Sequence, residues 1–97
     1  MESKTAITAL AALAQDTRLA IFRLLVKAGP EGLPAGKIAE TLSIPPSSLS
    51  FHLKELSHAT LISSRQDGRF VIYSANFHTM KGVLDYLTEN CCGGAPC

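Results

Sequence analysis

Tryptophan is absent from this chain, and its first ninety residues hold no cysteine. A secreted scaffold stapled by disulfides would spread an even number of cysteines through its framework, so that class is excluded. No apolar run approaches the ~20 residues that cross a bilayer, and no membrane partner is expected. Neither sign of charge dominates: nine Lys and Arg face eight Asp and Glu, for a net charge of +1. The basic field of many nucleic-acid binders is therefore missing, which neither supports nor excludes DNA. Also missing are a Cys-x-x-Cys, a glycine-rich phosphate loop and a strand-helix-strand scaffold, so an enzyme is not expected. With no signal peptide to read, the expected location is the reducing cytoplasm.

What is present is apolar residue, 46% of 97. That is one domain spanning residues 1–97, with more apolar surface than a single small core uses, which points to a second copy. Thr5–Ala14 carries Ile7, Leu10 and Leu13 as an apolar helical stripe. Asp16 is placed to cap a second helix, Thr17 to about Ala28, ended by Gly29-Pro30. Its Leu19, Ile21, Phe22, Leu24, Leu25 and Val26 cover most of the circumference, marking it as central and buried. A third helix is expected from about Pro34 to Leu42, with Ile38, Ala39 and Leu42 inward. A fourth runs from Pro46, suited to a first helical position, to about Ala59. The period then changes. Residues 61–65 and 70–74 read as strands joined through Gln66-Asp67-Gly68-Arg69. A last helix is expected over Phe77–Asn90.

Helices three and four stand about four residues apart, the spacing of a helix-turn-helix, and the hairpin after them is placed as a wing. At ~100° per residue, Leu49, Leu53 and Leu56 share one side of helix four. Ser47, Ser50, Phe51, Lys54 and His58 face the other way. An aromatic edge and hydroxyls suit the bases of a major groove. Ser47 and Ser48, in the first turn, suit a phosphate. Arg65 and Arg69 flank the hairpin tip and can grip phosphates. From spacing alone, an ordinary surface helix with a decorated hairpin fits as well.

The three cysteines, Cys91, Cys92 and Cys97, are gathered in the tail NCCGGAPC over residues 90–97. Core cysteines would be scattered through apolar segments. Residues 91–97 read instead as a flexible, thiol-rich tail in which Gly93, Gly94 and Pro96 let the chain turn back. Converging thiolates suit a soft metal or metalloid. Zinc usually takes four ligands, and no fourth is evident beside the tail.

Three segments together resemble the ArsR/SmtB family of metal-sensing repressors: LAQDTRLAIFRLL at residues 13–25, SSLSFHLKEL at 47–56, and Ile62 to Tyr73 with Asp67-Gly68-Arg69. They occur in the family's order and span nearly the whole chain. The resemblance implies a mainly α (α+β) winged helix-turn-helix, five helices with a β-hairpin wing. It implies a homodimer through the first and last helices, with Leu10, Leu13, Leu84 and Leu87 pairing across a two-fold axis. Double-stranded operator DNA is the implied partner, met through Ser47, Ser48, Ser50, Phe51, Lys54, Arg65, Gly68 and Arg69. One inducer site of the family, Cys-x-Cys at the start of helix three, is missing, since Pro34 and Gly36 stand there. A zinc site on the last helix would fall on Asn76, His78, Glu89 and Cys92, a poor ligand set. Some members carry a Cys pair and a third Cys beyond the last helix and sense arsenic. Arsenite or antimonite at Cys91, Cys92 and Cys97 is therefore the implied inducer. A zinc-responsive repressor, a redox-responsive one and a metalloid carrier are the alternatives.

Overall fold

The computed structural model describes all 97 residues. Its elements run α1 (Ser3–Leu13), α2 (Asp16–Ala28), β1 (Leu33–Pro34), α3 (Ala35–Leu42), α4 (Pro46–His58), β2 (Ile62–Asp67), β3 (Phe70–Ala75) and α5 (Phe77–Thr88). A 3-10 turn at Cys91–Gly94 follows. This is the expected winged helix-turn-helix, with the wing extended away from the helices in a body of 50 × 23 × 21 Å. No helix is long and apolar enough to cross a membrane.

The core lies where α2, α3, α4 and the base of the wing meet. Ile21, Leu25, Ile38, Leu56 and Leu61 are fully buried there. Leu49, Leu53 and Leu56 all point inward, as their spacing along α4 predicts. α2 is less enclosed than its composition suggests: Ile21, Phe22 and Leu25 are buried, but Leu19 is exposed. Its amino end is capped by Gln15, whose side chain accepts from the Arg18 amide at 2.9 Å, and not by Asp16. Asp16 is instead the first helical residue, where its charge still favours the helix amino end.

α1 turns its small residues inward. The face it turns toward its own core is Ala6, Ala9 and Ala12, while Ile7 and Leu10 point outward. Small side chains let two helix backbones approach closely, and the larger residues are left for another surface.

β1, absent from the sequence reading, pairs antiparallel with β3 (Leu33 opposite Tyr73), giving the sheet order β1-β3-β2. β2 starts one residue later and runs two residues further than expected. Asp67 pairs with Phe70, leaving Gly68 and Arg69 as a two-residue turn. Gly68 alone of the two has positive φ, +63°, as a type II′ turn requires at its first position. At the other end of the sheet, Gly32 has φ +70°, and any Cβ there would collide with the Tyr73 carbonyl oxygen and Ser74 Oγ.

Candidate functional site

α3 ends at Ser43, which takes a left-handed conformation (φ +53°), and Ile44 and Pro45 lead into α4. Pro46 occupies the first helical position and no side chain caps the helix. The first-turn amides of Ser47 and Ser48 thus remain open to an external acceptor at the positive end of α4. Ser47, Ser48, Ser50, Phe51 and Lys54 are all exposed, on one continuous surface opposite the leucine face. Phe51 is 56% exposed, and its ring meets that of His52 at 5.5 Å and 67°. An aromatic ring presented this way costs hydration free energy unless another surface covers it.

The wing projects beside α4. Arg69 sits in the turn at its tip with Gly68. Phe70, 59% exposed, stands next to it. In sequence Phe70 reads only as a strand residue; its place directly after the turn is the signal that it lies too far out to reach the core. Arg65 is placed differently from the pairing with Arg69 that its sequence position suggested. Its Nη2 donates to the Glu31 carbonyl at 2.8 Å and its Nη1 to Ser74 Oγ at 3.4 Å. Ser74 Oγ in turn donates to the Pro30 carbonyl at 3.1 Å. Arg65 therefore clasps the base of the wing to the α2–β1 loop, and Arg69 is the arginine at the tip.

Behind this surface, Arg18 of α2 joins three helices. Its Nε donates to the Ala12 carbonyl near the end of α1 at 2.6 Å, and its Nη1 lies 3.5 Å from His52 Nδ1 on α4.

Leu10, Leu13, Phe22, Val26, Leu84 and Leu87 are among the residues that line an open, mainly apolar groove of about 440 Å³. Leu84 and Leu87 are 55% and 57% exposed, so the outward stripe of α1 and that of α5 form one uncovered surface.

The tail begins two residues after α5 ends at Thr88, earlier than the expected Asn90. Asn90, Cys92, Gly93 and Gly94 all take positive φ, which curls the chain back on itself in the 3-10 turn. Cys92 and Cys97 are joined as a disulfide, with Cα atoms 6.0 Å apart, and Cys91 is a free, exposed thiol. The Cys91 sulfur lies 3.6 Å from that of Cys97 and 3.9 Å from that of Cys92. All three sulfurs fall within 4.8 Å of one another, and no other trio of His, Cys, Asp and Glu converges so closely.

The positions of the family's zinc site do not come together. The Asn76 side-chain oxygen accepts from the Thr79 amide at 3.1 Å as the cap of α5. His78 and Glu89 line a polar cleft with Thr5, Asp85 and Tyr86 but form no three-ligand cluster.

A helix-turn-helix domain family matches residues 13–65 of the chain. The transcriptional repressor SdpR of Bacillus subtilis is 36% identical over 76 residues, 78% of this chain and 81% of that protein. The nodulation protein NolR of Rhizobium meliloti is 32% identical over 82% of this chain, which spans only 63% of NolR's length. ArsR of Halobacterium salinarum, named for repression of an arsenical resistance operon, is 37% identical over 75% of this chain and 54% of its own. Among solved structures, an ArsR-like transcriptional regulator from Rhodococcus sp. RHA1 superposes with a TM-score of 0.81 at 23% identity, covering 94% of this chain and 83% of that one. It shares the fold; the more identical relatives carry the kinship. Together with the three sequence segments and the winged architecture, these likenesses mean that the chain belongs to the ArsR/SmtB family of DNA-binding transcriptional regulators.

Proposed function

We propose that the chain is a homodimeric repressor that leaves its operator when arsenite or antimonite binds Cys91, Cys92 and Cys97. The observation that carries the inducer reading is the convergence of three cysteine sulfurs within 4.8 Å beyond the end of α5, which offer three thiols once the Cys92–Cys97 bond is reduced. Arsenite, as As(OH)3, exchanges three hydroxyl groups for three thiol sulfurs and releases three waters, and a thiophilic trigonal ion needs no fourth ligand. The name of the Halobacterium relative supports the same chemistry. In this reading, Ser47 and Ser48 hold a phosphate at the amino end of α4. Ser50, Phe51 and Lys54 enter the major groove, while Gly68 and Arg69 bring the wing tip to the adjoining backbone. Arg65 contributes through the wing base, with its charge close to the same backbone.

The apolar groove between α1 and α5 supports a second copy as its cover. One solved relative of the same fold, from Mycobacterium bovis, is described as homodimeric. Two α4 helices related by a two-fold axis then read successive major grooves. The tail adjoins α5, so fixing it alters the end of the dimer helix and thereby the spacing of the two α4 helices.

A redox-responsive repressor is the second reading, favoured by the Cys92–Cys97 pairing. Two thiols give up two protons and two electrons to a peroxide or a disulfide oxidant. The HlyU protein of Vibrio cholerae, of similar fold, is described in a reduced form. Fluorescence anisotropy of the reduced protein on a duplex from its own promoter separates the readings. Release by arsenite, lost in Cys91→Ser and Cys92→Ser, supports the metalloid repressor. Release by peroxide alone supports the redox one, and release by zinc alone moves the site to His78 and Glu89.

A further inference from the structure

We propose that Arg18 is a positioning residue for DNA recognition, transmitting the placement of α1 to the groove-facing side of α4 through His52. The guanidinium has donors only, so at its contact with His52 the imidazole Nδ1 must be the acceptor. The proposal therefore assigns the ring proton of His52 to Nε2. The same guanidinium donates from Nε to the Ala12 carbonyl at 2.6 Å, one of the carbonyls that the end of α1 leaves without a helical partner. A planar fork can serve both partners only when α1 and α4 hold one relative position.

The line continues outward. The half-buried His52 ring meets the ring of Phe51 edge-on at 5.5 Å, and Phe51 is the large apolar group on the exposed face of α4. Ala12, Arg18, His52 and Phe51 therefore form one contiguous series from the α1 terminus to the recognition surface. α1 also supplies Leu10 and Leu13 to the apolar groove, so any movement of that groove's cover reaches Phe51 by this path. The inference rests on DNA binding by α4 and not on the identity of the inducer.

The test has two parts. Long-range ¹H–¹⁵N spectra of the free wild-type protein should show His52 protonated on Nε2 with Nδ1 accepting; the Nδ1–H tautomer would overturn the proposal. Anisotropy on the promoter duplex then compares His52→Leu, which removes the acceptor, with His52→Asn, whose amide oxygen can replace it. His52→Leu and Arg18→Gln should each weaken binding about tenfold, and the double variant should be no weaker than about tenfold, since both remove one coupling. His52→Asn should bind within about twofold of wild type. An additive loss of about a hundredfold, or equal losses in the Asn and Leu variants, would make Arg18 merely the cap of α1. If Arg18→Gln fails to fold by circular dichroism, the spectra and the two His52 variants decide.

Discussion

Phe51 and Gly32 show how differently single residues constrain this chain. Phe51 contributes little to the fold, being more than half exposed and outside the buried core. Phe51→Ala should therefore change stability by no more than about 0.5 kcal/mol in urea unfolding. Its operator affinity should fall by about 1–3 kcal/mol if the ring meets base edges in the groove. Equal operator affinity for the two proteins would remove Phe51 from the interface. Gly32 is the opposite case. Its φ of +70° and the absence of room for a Cβ combine strain with a clash against β3. Gly32→Ala should cost about 2–4 kcal/mol, the sum of an unfavourable backbone region and local overpacking. The clasp of Arg65 on Glu31 adjoins this glycine, so the variant's wing should also exchange its amide hydrogens faster.

At the scale of elements, α4 was readable because its leucines recur at helical spacing and its other face is polar but for Phe51. α1 was harder. Periodicity reveals that Ile7, Leu10 and Leu13 share a stripe but not which surface the stripe meets, and alanine is too weakly apolar to announce that it faces the core. β1 has two residues, one of them proline, and exists only because β3 offers it an edge. Arg65 lay beyond local reasoning for the same cause: its partners Glu31 and Ser74 are distant or cross-strand. The tail's chemistry, by contrast, was visible in the clustering of three cysteines, while the choice of Cys92 and Cys97 as partners depends on the left-handed turn between them. That pairing carries a prediction. With Cys92 and Cys97 bonded, Cys91 is the one remaining thiol, and one thiol does not hold a trigonal ion firmly. Protein oxidised to the disulfide should lose arsenite-driven release from DNA and recover it on treatment with a thiol reductant. Full response of the oxidised protein would show that the three sulfurs do not act together.

The whole molecule is elongated and leaves large apolar residues uncovered along α1 and α5. Leu10, Leu84 and Leu87 are 40–57% exposed, so enclosing them against a second copy would stabilise the pair by about 0.6–1.7 kcal/mol for each leucine, on each side of the axis. Nothing within one chain offers that cover, because the core already closes over Ile21, Leu25 and Leu56 on the opposite side of α2. The small net charge leads to the same assembly. Lys54 and Arg69 of one chain are few for a DNA interface whose affinity comes largely from neutralised phosphates, and a dimer doubles them across two half-sites. Leu87→Glu places a carboxylate in the middle of this surface without touching the buried core. It should yield a folded monomer by light scattering, with a helical spectrum like that of wild type. Operator affinity should fall by more than about a hundredfold, since one α4 can no longer bind with the aid of the other. A Leu87→Glu protein that remained dimeric and bound DNA normally would place the interface elsewhere and leave the groove between α1 and α5 for another occupant.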